Sequence, residues 1–230
     1  MCGRFTITET DAALLAEELG VPVESLPADY RPRYNLAPTD PHIILRIKEE
    51  TRELLPARWG LVNSWAKDNK GAARQINARA ETIATTPAFR EAYAKRRCVV
   101  PADGFHEWEH VGKAKKPFRF TRKDGQLLLF AGLYESWQPQ PGEWQRTFTI
   151  VTTAANGVVG QLHDRMPVIL EDRDADRWMF RTTPDAELRG LLRPAADTVL
   201  RVDAVSDRVN SVKNDDPSLL EVVMPPTRLL

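Results

Sequence analysis

Disulfides, a membrane span and a net charge are all missing from this sequence. Only two cysteines, Cys2 and Cys98, occur in 230 residues, and they form no Cys-x-x-Cys pair or four-ligand spacing. Neither a disulfide framework nor a structural zinc module is therefore expected. No apolar run reaches the length of a membrane span, and no basic segment leads into an apolar stretch at the start, so neither a transmembrane helix nor a secretion signal is supported. A cytoplasmic protein without membrane partners is expected. Lys plus Arg number 32 and Asp plus Glu number 32, so no whole-molecule field draws the protein to nucleic acid, and any attraction to phosphate must be local. Hydrophobic residues at 42% and charged residues at 28% exclude intrinsic disorder and provide for a full core.

Along the chain, Thr10–Gly20 reads as a short helix, and a Pro-rich loop follows over residues 27–41. Two β-type runs, 42–48 and 53–59, come next, and Pro87 opens a second helix that runs to Arg96. Beyond it, β-type runs at 97–100, 105–110, 117–121, 126–134 and 146–153 are separated by turn signals such as Asp103-Gly104 and Lys123-Asp124-Gly125. Polar helices are expected at 171–180 and 184–192, ahead of a strand at 198–205. The pattern predicts a single α+β domain of antiparallel, barrel-like β-sheets with peripheral helices. Its core is expected over about residues 2–215, with a C-terminal tail over about 216–230.

Five stretches could carry chemistry. A small second residue generally permits removal of the initiator Met, which would leave Cys2 with its own α-amine beside its thiol. Such a 1,2-aminothiol captures an aldehyde as an imine and closes it to a thiazolidine, whereas position alone favours a chance cysteine on a frayed terminus. His106-Glu107-Trp108-Glu109-His110 matches the H-E-x-x-H zinc pattern literally, but its aromatic alternation favours a strand. On a strand the two histidines stand about 13 Å apart and share no metal, so no metal site is expected. Glu107 then becomes a carboxylic acid beside aromatics, able to move a proton if desolvated. Residues 75–82 alternate so that Asn77, Arg79 and Glu81 share a side, which offers either a polar row or a solvated strand edge. His163, in Gln161-Leu162-His163-Asp164-Arg165, is either a general acid or base or a structural imidazole. Finally, Arg58, Lys67, Lys70, Arg74 and Arg79 surround Trp59 and Trp65 with Asp68 as the lone acid. That interleaving suits single-stranded nucleic acid, with Trp59 expected in the core and Trp65 exposed. A second basic run spans Lys113 to Lys123, and a solvated hairpin explains it equally well.

Taken in order, Met1-Cys2-Gly3-Arg4-Phe5, Arg33-Tyr34-Asn35-Leu36-Ala37-Pro38, Trp59-Gly60-Leu61, Ser64-Trp65-Ala66-Lys67, Ile76 to Thr82, Gly104 to Trp108, His163 to Pro167 and Val212-Lys213-Asn214 resemble the SRAP family, the SOS-response-associated peptidase domains associated with abasic-site DNA crosslinking. The sequence departs from the family at His106, where an aromatic is usual, and at Asn63, where Pro is common. The resemblance implies an abasic-site-reactive, lyase-like or peptidase-like enzyme that needs no cofactor, with Cys2, Asn77, Glu107 and His163 catalytic. It places Arg4, Asn35, Pro38, Trp65, Arg79 and Arg165 on DNA. The implied partner is single-stranded or junction DNA containing abasic sites, bound by a monomer that joins the nucleoid when on DNA. Thiol autoproteolysis through Cys2, a zinc peptidase and a noncatalytic single-strand binder are the alternatives.

Overall fold

The computed structural model describes residues 2–223, and Met1 and residues 224–230 lie outside the described residues. In chain order the elements are β1 (Phe5–Ile7), α1 (Ala12–Leu19), β2 (Arg33–Leu36), β3 (Pro41–Lys48), β4 (Thr51–Trp59), β5 (Asn77–Arg79), α2 (Arg90–Lys95), β6 (Arg97–Ala102), β7 (Gly104–Val111), β8 (Ala114–Arg122), β9 (Leu128–Gln140), β10 (Glu143–Ala154), β11 (Arg165–Pro167), β12 (Ile169–Leu170), α3 (Asp172–Met179), α4 (Asp185–Leu191) and β13 (Leu200–Ala204). The fold is α+β, with antiparallel pairing dominant and helices at the periphery, as the sequence pattern predicts. Two pairings are parallel, β4 with β10 and β5 with β10.

Strands β10, β4, β3, β6 and β9 pair in succession, and β9 pairs back to β10, so these five strands close into a barrel. Closure leaves the ring no free edge. Beside it lies a five-stranded sheet in the order β13-β8-β7-β1-β2. β1 is short, yet both its edges are satisfied, by β2 through Phe5↔Leu36 and by β7 through Phe5↔Phe105. The start of the chain is thus an interior strand.

Local chemistry explains the element ends. Asp11, one residue into the expected helix, caps α1 by accepting from Ala13 N–H at 2.8 Å, and Gly20 ends it in the left-handed region at φ 66°. The Pro87 helix begins later than expected, because residues 86–89 form turns and α2 starts only at Arg90. Gly60, at φ 113°, turns the chain out of β4 where an added Cβ would lie 2.7 Å from the Ala72 carbonyl oxygen. That turn launches the loop carrying Trp65. The packed structure also continues past residue 215. Asp216 caps a 3-10 turn over Pro217–Leu220, Leu219 is fully buried, and Val222 bridges Val205. The expected tail therefore packs as far as residue 223, and its remainder lies outside the described residues.

Aromatic side chains join the two sheets. Phe5 of β1 meets Trp59 of β4 at 5.0 Å and Phe130 of β9 at 6.2 Å, and Phe105 of β7 meets Phe130 at 6.0 Å, all near edge-on. Cys98 is a core residue, and so is Trp59, as expected. Phe130→Ala removes the side chain that both sheets share and should cost about 3–5 kcal/mol of stability. Urea unfolding of the variant against wild type checks this.

Candidate active site

Because β1 is held on both edges, the residues before it are held too. The pairing with β7 extends beyond the strand, since His106 N–H donates to the Arg4 carbonyl at 3.0 Å. Cys2 is fully buried, and its carbonyl accepts from Asn77 Nδ2 at 2.9 Å. Asn77 is fixed in turn by β5, which runs parallel to β10 with Asn77 opposite Ile150. One amide therefore ties the amino-terminal segment to a strand paired with the barrel. Asn77 Oδ1 is buried and has no hydrogen-bond partner among the described residues. Burial first, and then the negative charge of Glu107, push the Cys2 thiol well above its ordinary value, so it rests as a thiol.

Glu107 lies on β7 and shares a face with Phe105, as strand alternation predicts. It is 4% exposed. Burial pushes its carboxyl up to about 7, Asp164 adds to the rise and the positively charged amino terminus opposes it. The acid thus sits at the pH where it gives and takes a proton with equal ease. His163 reaches the same region from the loop before β11. Its imidazole is held below its ordinary value, chiefly by burial and then by the amino-terminal charge. Nδ1 accepts the Arg165 N–H at 2.9 Å, although Asp164 Oδ1 is also 2.9 Å away. A neutral ring cannot donate from a nitrogen that is already accepting, so we assign the proton to Nε2 and discount the Asp164 ion pair.

The residues expected on DNA divide into two groups. Trp65 is 69% exposed on its loop, Arg79 is exposed at the end of β5, and Pro38 is half-buried in the turn between β2 and β3. These three face solvent. Arg4 Nη1 donates to Asn35 Oδ1 at 2.6 Å and to the Val209 carbonyl at 2.9 Å, with its guanidinium 5.6 Å from the Trp108 ring centroid. Asn35 is 1% exposed, and its amide donates to the carbonyls of Val209, Ser211 and Asn214. It is a brace for the 209–214 segment, and burial removes it from any surface. Arg165 directs its fork at Glu81, at 2.6 and 2.9 Å, and also donates to the Thr152 carbonyl. Its charge is already matched within the protein.

The H-E-x-x-H segment is strand β7, so its histidines stand about 13 Å apart. His106 is fully buried and His110 is exposed. Neither His106 ring nitrogen has a hydrogen-bond partner among the described residues. Burial, reinforced by Arg119 and Arg4, lowers its pKa to about 3 and keeps it neutral. Sequence reasoning missed Asp215. Its carboxylate accepts from Tyr34 N–H at 2.6 Å, Asn35 N–H at 3.0 Å and Arg33 Nε at 2.5 Å, and so fixes β2 against the 209–214 segment. The nearby Val212-Lys213-Asn214 motif is the only local signal of it in the sequence.

A closed barrel and a companion sheet hold the chain's first residues beside a buried acid. The family model for SOS response associated peptidase (SRAP) matches residues 1–212, and the chain belongs to this family. It is 39% identical to the abasic site processing protein YoqW of Bacillus subtilis, over 96% of this chain and 99% of that one. It is 33% identical to the abasic site processing protein YedK of Escherichia coli, over 97% and 100%. A crystal structure of a protein from Bacteroides thetaiotaomicron superposes with a TM-score of 0.86 at 27% identity, covering 97% of this chain and 100% of that one.

Two outcomes follow from these environments. Carboxyl-selective NMR should show Glu107 titrating near pH 7, whereas a midpoint in the ordinary carboxylate range would contradict its burial. Stability should also fall on mild acidification. Buried His42 and His106 have folded pKa values of about 4 and about 3 against 6.5 for the unfolded residue. Between these values the unfolded chain binds more protons at these two histidines, the raised Glu107 carboxyl offsets part of the effect, and stability present above about pH 6.5 is progressively lost below it. Urea midpoints should drop from pH 7 to pH 5, and should drop less in His106→Phe.

Proposed function

We propose that this protein captures the ring-opened aldehyde of an abasic site in single-stranded or junction DNA through Cys2, once Met1 has been removed. The observation that carries this reading is the tethering of Cys2 to Asn77 beside a carboxyl group poised near neutrality. The names of the bacterial relatives, abasic site processing proteins, support the same substrate.

Removal of Met1 turns the Cys2 nitrogen into a primary amine. That amine adds to the sugar C1 aldehyde to give a carbinolamine, and protonated Glu107 donates to the hydroxyl that departs as water, leaving a protonated imine. The thiol sulfur then bonds to the same carbon while its proton passes to the Glu107 carboxylate, which restores the acid, and the nitrogen keeps the proton it already carries. The product is a thiazolidine, and water is the only species released. Because burial keeps the thiol protonated, the amine acts first and the sulfur closes the ring. Asn77 holds the Cys2 carbonyl so that both nucleophiles face one carbon. Neutral His163, with its proton on Nε2, serves as the second proton carrier. Arg4 and Arg79 take flanking phosphates, Trp65 and Pro38 meet bases beside the lesion, and Asn35 and Arg165 act by positioning.

The family description leaves a thiol peptidase as the second reading. It is disfavoured because attack on a peptide needs a ready thiolate, and burial opposes one here. Incubation with a single-stranded oligonucleotide carrying one abasic site should give a band that survives denaturing electrophoresis. Cys2→Ala should abolish that band, and an unchanged band would sink the proposal. Glu107→Gln should slow single-turnover formation by about 10²-fold or more and flatten its pH dependence near 7.

A further inference from the structure

The second basic run, Lys113 to Lys123, is not used by the chemistry above. In the structure it forms the turn and returning strand of the β7–β8 hairpin. Arg119 pairs with Asp103 and Arg122 pairs with Asp124, so these two cations are spent within the protein. Lys115 makes no salt bridge among the described residues and is exposed. It lies opposite His110 in the hairpin register, on the strand face that also carries Trp108. Together with Arg4 and Asn210 these residues line a cleft of about 210 Å³. Trp108 Nε1 donates to Asn210 Oδ1 at 2.6 Å, and Asn210 Nδ2 donates to the Lys115 carbonyl at 3.2 Å, so the walls are tied to one another. The buried Arg4 Nε has no hydrogen-bond partner among the described residues.

We infer that this cleft is a nucleotide subsite, which takes one backbone phosphate between Lys115 and Arg4 and rests the adjoining sugar and base edge against Trp108. This rests on the DNA reading proposed above and extends it. The volume is below the range of drug-sized ligand pockets and suits a single nucleotide unit. Two cations, an imidazole that donates in either protonation state, an indole and a carboxamide provide phosphate neutralisation together with an apolar face, and the cleft lining includes no carboxylate. Arg4 belongs to the reactive amino-terminal segment, so a phosphate here belongs to the strand that flanks the captured sugar. The hairpin thereby continues the DNA track in a protein with no net charge.

The test uses a single-stranded oligonucleotide whose abasic position is a tetrahydrofuran analogue that cannot crosslink, with flanking phosphates replaced one at a time by neutral methylphosphonates. Fluorescence anisotropy is read for wild type and Lys115→Gln across a salt series. Lys115→Gln should weaken binding several-fold at low salt and reduce the slope of log K against log salt by about 0.7. One methylphosphonate position should weaken wild type but leave Lys115→Gln unaffected, because the partner of that phosphate is already gone. Losses that add at every position, or unchanged affinity in Lys115→Gln with an unchanged melting curve, would overturn the subsite. Failure of the covalent reading appears separately, as absence of the adduct from wild type on natural abasic DNA.

Discussion

The hydrogen bonding of β1 on both edges is the constraint on which the rest of this structure depends. A three-residue strand at the start of a chain ordinarily frays, because few backbone groups hold it. Here β2 and β7 take its two edges, Phe5 is locked among Trp59, Phe130 and His42, and the pairing reaches back as far as Arg4. Cys2 inherits that order. The Asn77 amide then fixes its carbonyl from β5, which pairs with the barrel, so the relative position of the two sheets sets the geometry of Cys2.

Burial at this junction sets the protonation states. The same desolvation that keeps the Cys2 thiol protonated lifts Glu107 to about 7 and holds His106 and His163 neutral. One cause thus yields a protonated resting thiol, an acid that exchanges protons near neutral pH and a neutral imidazole, whose tautomer the Arg165 N–H fixes. His42 and His106 bear the cost in stability, since both oppose folding once the unfolded histidines begin to protonate. A second network fixes the rim. Asp215 holds Arg33 and the β2 backbone, Arg33 holds Asp40 in the turn that carries Pro38, and Asn35 holds both Arg4 and the 209–214 segment.

Strand alternation made Glu107 legible, because the two-residue period places it with Phe105 and exposes the zinc pattern as an accident of sequence. Trp65 was legible from its loop-like neighbours and Trp59 from its place at a strand end. β1 and β2 were not, since both are short and β1 is buried on both faces, which removes the alternation that reveals a strand. The β9–β10 hairpin extends to Gln140 and Glu143 past a proline, a residue that normally argues against a strand. The sequence points to Arg165 and Asn35 as DNA contacts, but their partners inside the protein are invisible in it. Their partners, Glu81 and the 209–214 carbonyls, are 84 and 174 to 179 positions away and leave no local trace.

The central claim is that the amino-terminal residue itself becomes the covalent attachment point. Intact-mass spectrometry of the purified adduct, followed by peptide mapping, tests it most directly. The account predicts a protein lacking Met1, a total mass equal to protein plus abasic oligonucleotide minus one water, and the modification confined to the peptide that begins at Cys2. An adduct that retains Met1, or one that maps to a lysine side chain, would contradict it.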